Sequence, residues 1–331
     1  LLNLNEDKTI SVISVLIFLF LFGIASMGYV YAYRGTERYE SLNFYLRKGW
    51  PIFAPLNCLL YMFTKKRAAK PIMNLADFPE LKLVQDNWET IRDEAVNLRE
   101  NGYFDKVKDP TSSAYYDIGF RTFYKYGWSK FYLTWYGTTL KSAKELCPKT
   151  VELVSKVPGV NGAMYSILPV GSKLTKHLDP VATSLRYHLG LKTPNDDRCY
   201  INIDGTDYSW RDGEALLFDE TYLHFAFNNS ENERIILMLE VDRPTNIIGK
   251  IINFIFKLIM RITLVPNVPG DQRGLVNAIF GAVTPTLLKV RTLKETNLAL
   301  YKIIKHTVNL TLLAIAFGLI YLVLTFIQSL F

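Results

Sequence analysis

The chain predicts an α+β architecture, and three features of its 331 residues carry that expectation. Short strand-like runs begin at Gly162 and continue to Val241, separated by turn signals. Helical patterning precedes them. Long uncharged blocks lie near both ends. Helices followed by an all-β run favour helices packed on an antiparallel sheet. Many short strands at this spacing indicate a sandwich or a barrel-like jelly roll.

The elements follow in order. Thr9 to Tyr33 contains no charged residue, and about 20 such residues suffice to span a bilayer core. The sequence therefore predicts a transmembrane helix over 9–33. A cleaved signal peptide is the competing reading. Against it stand a start that is not basic (Glu6, Asp7, Lys8), a long apolar core and the lack of an Ala-x-Ala site. Thr307 to Phe331 is also uncharged and predicts a second span over 307–331. Arg34, Arg38, Arg47 and Lys48 follow the first block; Lys294, Lys302 and Lys305 precede the second. The positive-inside rule puts the intervening chain in the cytoplasm. Residues 34–73 read as a basic juxtamembrane and interfacial segment. Within it Gly49 to Thr64 is uncharged but broken by Pro51 and Pro55, which suits interfacial or re-entrant contact.

Residues 74–244 form the polar domain. Asp86 to Gly102 carries Trp88, Ile91, Ala95 and Leu98 on one helical face and stops at Gly102. Ser142 to Lys156 gives a second helix, interrupted at Pro148. The expected strands are Ala163–Leu168, Leu185–Leu191, Cys199–Ile203, Glu214–Phe218, His224–Asn228 and Arg234–Val241. Beyond them Asn246 to Val265 places Lys250, Lys257 and Arg261 in one narrow stripe of an otherwise apolar helix. A helix lying in the membrane interface over 245–265, its stripe toward the phosphates, is the leading expectation; a third span and a buried core helix are the alternatives. Residues 266–306 read as a linker and helical segment.

Composition narrows the classes. Hydrophobic residues make up 49% and charged residues 21%, which excludes a disordered chain. The net charge of +7 suits a membrane surface, nucleic acid or an acidic small molecule without choosing among them. Three cysteines without a Cys-x-x-Cys give no case for structural zinc or a disulfide framework.

Only four histidines occur, and three lie in the β-rich region. His177 and Asp179 are two apart, so on an extended strand they share a face. His224 opens one expected strand and Arg234 opens the next, ten residues on; a tight hairpin between them would set Arg234 beside His224. Two histidines and a carboxylate on one face describe the facial triad of non-haem Fe(II) oxygenases. Three protein ligands leave three positions open, two for a 2-oxo acid and one for dioxygen. Arg234 would hold the distal carboxylate of that acid through a bidentate pair. The alternative is a surface turn at His177–Asp179 and a satisfied core histidine at 224. Arg186 and His188 alternate and could face one cavity, or Arg186 could pair with a local aspartate.

The motifs KHLDP (176–180), SLRYHLGL (184–191), NDDRCYINIDG (195–205), YSWRDGEALLFDETYLH (208–224) and ENERIILMLEVDRP (231–244) resemble the aspartyl/asparaginyl β-hydroxylase family. Within it they are most similar to the branch of bacterial lipid A 2-hydroxylases. The resemblance implies a double-stranded β-helix that uses Fe(II), 2-oxoglutarate and dioxygen. Position by position, His177 and His224 match the iron-binding histidines and Arg234 the arginine that holds 2-oxoglutarate. Arg186 and His188 sit in a motif that contacts the same co-substrate; Trp128 and Ser166 align with further contacts. The protein-directed branch has glycine where this chain has Asp179, so ligation by Asp179 is a separate expectation. The implied reaction is hydroxylation at the 2-position of a lipid A secondary acyl chain, at the cytoplasmic side of a bacterial inner membrane. The alternatives are another membrane lipid, such as an ornithine-type aminolipid, protein side chains, or a membrane-anchored binding module without turnover. Nucleic acid is not an expected partner.

Overall fold

The computed structural model describes residues 2–109, 112–117 and 127–329. Within these, the side chains of 2–13, 16, 107–108, 113, 287–288, 291 and most of 312–329 lie outside the description. The chain divides into two units, Leu1–Asn277 and Ala278–Phe331.

The first unit opens with helices α1 (Leu2–Ala32), α2 (Leu42–Lys48), α3 (Ala54–Phe63), α4 (Lys82–Asp86) and α5 (Trp88–Glu100). Strands β1 (Ser129–Trp135) and β2 (Thr138–Thr139) follow, then α6 (Lys141–Leu146) and α7 (Pro148–Ser155). Eight consecutive strands come next: β3 (Val160–Leu168), β4 (Lys173–His177), β5 (Ser184–Lys192), β6 (Cys199–Ile203), β7 (Thr206–Ser209), β8 (Ala215–Phe218), β9 (His224–Asn228) and β10 (Arg234–Asp242). The polar domain is followed by α8 (Ile247–Met260) and α9 (Leu275–Thr296), the latter with Pro285 inside it. α9 runs on into the second unit, which also contains α10 (Leu298–Ser329).

The strands form two antiparallel sheets, ordered β2-β1-β3-β10-β5-β8 and β4-β9-β6-β7. From β3 onward the chain alternates between the sheets except at the β6–β7 hairpin, and its first and last strands are neighbours, the winding of a double-stranded β-helix. The expected jelly roll is therefore present. Strand periodicity sorts the side chains of the larger sheet. Tyr165, Tyr187, Leu189, Leu237 and Leu239 are fully buried on its outer face. They meet helices there: α5 packs on β5 and brings in Ile91, Ala95 and Leu98. Each such side chain contributes about 1.5–3 kcal/mol on burial. The Tyr165 hydroxyl donates to Thr150 Oγ1 on α7 (2.7 Å), and the Glu94 carboxylate accepts from Lys149 and Thr150 N–H, joining α5 to the start of α7. Register places Ser166, Arg234, Met238, His188, Glu240 and Arg186 on the opposite, inner face.

Several expectations need correction. β9 and β10 belong to different sheets, so no hairpin joins them. The connection crosses the sandwich, held by Asn228 Nδ2 donating to Leu168 O (3.0 Å) and Asn232 O (2.8 Å). β1, β2, β4 and β7 were not expected. β4 reads Lys-Leu-Thr-Lys-His, with Leu174 its one buried residue, because it is an edge strand with little to bury. Among the described residues no helix is long and apolar enough to cross a membrane. The spans expected over 9–33 and 307–331 find no support in α1 and α10. Much of both blocks falls outside the described side chains. The stripe of α8 also behaves differently from its expectation. Lys257 pairs with Asp242 (2.6 Å) and Arg261 donates to Tyr136 O (3.2 Å), so two of its three cations are bound to the domain.

Candidate metal centre and anion pocket

The site starts at one register position. His177 ends β4, His224 begins β9, and the two stand directly opposite each other with ring centroids 4.2 Å apart. His177 Nδ1 lies 2.8 Å from Thr175 O, and His224 Nδ1 lies 2.9 Å from Tyr222 O. A backbone carbonyl accepts the Nδ1 proton in each case, which leaves Nε2 with its lone pair free to ligate. Burial holds both imidazoles neutral, at about 4 for His177 and about 3 for His224. Asp179 follows β4 and donates its N–H to Glu220 O (2.8 Å). Its Oδ1 is 3.5 Å from His177 Nε2. One ligand atom from each of His177, Asp179 and His224 lies within 4.8 Å of the others, a cluster able to hold a metal ion.

Arg186 fixes the carboxylate. Its Nη2 donates to Asp179 Oδ2 (3.1 Å) and pairs with Glu220, while Nη1 donates to Glu240 Oε1 (3.1 Å). Ser184 and Tyr136 hydroxyls complete the shells of Glu220 and Glu240. One guanidinium among three carboxylates leaves a net negative charge beside the imidazoles. Burial pushes the Glu220 carboxyl up to about 7. A divalent cation would offset this excess charge.

Arg234 lies deeper and is fully buried. Its Cζ is 4.4 Å from the Trp210 ring centroid and 5.2 Å from that of Trp128. Nη2 donates to Ser166 Oγ (3.3 Å), while Nε and Nη1 have no partner. Among the described residues no carboxylate pairs with it. Burial lowers the guanidinium to about 10, so it keeps its charge at neutral pH. His188 bridges the two halves of the interior. Its Nδ1 is 3.4 Å from Trp210 Nε1, and its ring is 5.1 Å from Phe218, which is 5.8 Å from His224.

The expected residues thus fall into two groups. His177, Asp179 and His224 form the metal cluster. Arg234 stands against Ser166, Trp128 and Trp210 with Nε and Nη1 unpartnered, and His188 lies between this group and the cluster. Arg186, expected on the co-substrate, is instead engaged with Asp179, Glu220 and Glu240. Sequence reasoning missed Trp210, Glu220 and Glu240. The strand period offered a signal for Glu240, six residues from Arg234 on the same face. Trp210 and Glu220 lie in loops, where no period applies.

The sequence model of the family described as Aspartyl/Asparaginyl beta-hydroxylase matches residues 85–244. "Ornithine lipid ester-linked acyl 2-hydroxylase" of Rhizobium tropici is 29% identical over 189 residues, 56% of this chain and 64% of that protein. "Aspartate beta-hydroxylase domain-containing protein 2" of Homo sapiens is 33% identical over 126 residues, 35% of this chain and 34% of its own. "Aspartyl/asparaginyl beta-hydroxylase" of Homo sapiens is 29% identical over 172 residues, 50% of this chain and 21% of its own. The chain therefore spans less than two thirds of each of these relatives. Among solved structures, a Pseudomonas putida prolyl-4-hydroxylase is 15% identical over 48% of this chain and 87% of its own at a TM-score of 0.32, which adds nothing to the strand order. The matched segment, just under half of the chain, contains the candidate metal cluster, Arg186, Ser166, Arg234 and Trp128, and over it the chain is similar to the aspartyl/asparaginyl β-hydroxylase family.

Proposed function

We propose that the protein is an Fe(II)- and 2-oxoglutarate-dependent dioxygenase that hydroxylates the 2-position of a membrane-lipid acyl chain, with a lipid A secondary acyl chain at the inner membrane as the first candidate. One observation carries the chemistry. A fully buried guanidinium with two unpartnered N–H groups shares an interior with a His-Asp-His cluster. A buried cation without an anion is costly, and the carboxylate of a 2-oxo acid would satisfy it. His177, His224 and Asp179 suit Fe(II), since two imidazoles and one carboxylate leave positions open. Bound there, Fe(II) with the 2-oxo acid and dioxygen supplies the oxidising power to hydroxylate an unactivated C–H bond, yielding succinate and carbon dioxide.

The chain's own residues bind, orient and shield. Arg234 and Ser166 hold the distal carboxylate, and Trp128 and Trp210 wall it from water. Arg186 keeps Asp179 turned toward the histidines. The carbonyls of Thr175 and Tyr222 fix which nitrogen of each imidazole faces the metal.

The likeness to an ornithine lipid acyl 2-hydroxylase supports acyl-chain hydroxylation and favours a second reading, in which an ornithine-type aminolipid is the substrate. The basic segments flanking the domain support a catalytic face held at an anionic membrane surface. The test is mass spectrometry of lipids from a host lacking the activity, carrying the wild-type or the His224→Ala protein. Gain of one oxygen on lipid A with the wild type alone supports the first reading. The same gain on an aminolipid supports the second. Oxygen on neither lipid, together with no succinate formed from 2-oxoglutarate by the purified protein, overturns both.

A further inference from the structure

The outer side of α8 is apolar and bare: Ile251, Phe254, Ile255 and Leu258 are all exposed, Phe254 by 62%. α3 lies beside it. Asn246 N–H donates to Phe63 O (2.9 Å), and a bridge joins Thr64 to Thr245. Phe53, Leu56, Ile252 and Phe256 turn inward from the two helices onto Leu60, Val181 and Ala182. Tyr45 of α2 shares a buried cluster with Ala54 of α3, and Met62 of α3 and Ile52 of the turn before it are 73% and 80% exposed. Contiguous bare apolar surface of this kind marks an interaction site.

Charge selects the partner. From Ser41 through Ala76 there are six lysines and arginines and no acidic residue. From Arg243 through Gly270 there is again no acidic residue. Arg47, Lys48, Lys65, Lys66 and Lys250 are all exposed. We propose that the layer formed by α2, α3 and α8 docks on an anionic lipid bilayer surface, its apolar side chains entering the headgroup boundary and its lysines meeting phosphates. A second copy of this chain fits poorly, because a two-fold contact would set these cations against each other.

The layer is also tied to the metal cluster. Asn57 on α3 donates to Pro180 O (2.9 Å) and accepts from Ala182 N–H (2.8 Å). Asn253 on α8 donates to Thr183 O (3.1 Å). Both buried asparagines grip the stretch that follows Asp179. The ligand loop thus sits one helix thickness, about 10 Å, behind the docking face. This deepens the lipid hydroxylase reading and rests on it for the substrate, but its test measures seating rather than turnover.

Trp50, 50% exposed beside α3, is a built-in reporter. The full chain is mixed with vesicles of phosphatidylglycerol, brominated or plain, and emission is compared with that of Trp50→Phe. Phe254→Trp in the Trp50→Phe background reports from α8. Circular dichroism checks the fold of each variant. Severalfold quenching of both reporters by brominated lipid is the expected result. Emission that is the same in brominated and plain vesicles at either position overturns the proposal. So does shielding that rises with protein concentration and ignores bromine, the signature of a second copy. Lipid hydroxylation without quenching would sink the docking face and spare the enzyme reading; quenching without hydroxylation does the reverse.

Discussion

Asp219→Asn tests how the ligand loop is held. Asp219 and Arg243 are both fully buried and pair through both carboxylate oxygens, at 2.6 and 2.7 Å. Arg34, just beyond α1, adds a third bond to Asp219 Oδ2 (2.6 Å) and lies 3.6 Å and 4.0 Å from the Tyr61 and Tyr222 ring centroids. Asn keeps the volume but removes the charge, leaving Arg243 without an anion. Breaking a buried pair this way costs about 3–5 kcal/mol. At roughly 2–4 °C per kcal/mol for a domain of this size, thermal unfolding should fall by about 6–20 °C. The loss should depend on pH. Burial pushes the Asp219 carboxyl up, but Arg243 and Arg34 outweigh it and hold it at about 2, below the ordinary 3.8. A carboxylate lowered in the folded state stabilises above its unfolded value and loses that contribution as pH falls through the folded one. The gap between wild type and variant should therefore narrow in acid. Circular dichroism melts from neutral pH to about pH 3 measure both effects. A drop below about 2 °C, or a gap that does not change with pH, would refute the reasoning. A second readout follows from the turn that Asp219 starts, since Glu220 O and Tyr222 O hold Asp179 and His224. Metal affinity should fall by about 10–100-fold, the usual effect of losing such support.

The remaining predictions concern the site and its scaffold. His177→Ala and His224→Ala should each abolish tight metal binding in calorimetric titration, and Asp179→Ala should weaken it; unchanged affinity in the aspartate variant removes that residue from the ligand set. Arg186→Gln should weaken metal binding by about 10–100-fold while sparing 2-oxoglutarate, whereas Arg234→Gln should weaken 2-oxoglutarate and spare the metal. The opposite pattern would return Arg186 to the co-substrate. Burial keeps His177 and His224 neutral well below the ordinary 6.5. The metal-free protein should therefore lose stability as pH falls from 6.5 toward about 4, since the unfolded chain takes up protons first; a flat stability profile across that window counts against buried imidazoles. Gly190→Ala would drive a Cβ into Arg211 O. The backbone must shift, and urea unfolding should show a loss of about 1–3 kcal/mol, as for other overpacked sites.

How much was legible varies with the kind of residue. Periodicity located β6 and β9 to the residue, and located β3, β5, β8 and β10 to within a few positions, because buried strands carry apolar alternation. The same logic passed over β4, the edge strand that delivers His177, since one buried leucine leaves no period to read. His177, Asp179 and His224 could be picked out by residue type and spacing. The pairing of Arg186 with Asp179 could not, because it depends on which strands become neighbours.

By itself the sequence determined the α+β class, the two imidazoles and carboxylate, and the unusual Arg234. These are local: residue type, period and turn chemistry suffice. Tertiary structure alone decided that β9 and β10 part into opposite sheets, so that Arg234 reaches the interior from the far wall. It also decided that Trp210 caps Arg234, that Lys257 and Arg261 bind the domain, and that two asparagines tie α3 and α8 to the stretch after Asp179. The physical reason is common to all four. Each rests on a contact between residues distant in the chain, and such a contact forms only once the two sheets have closed.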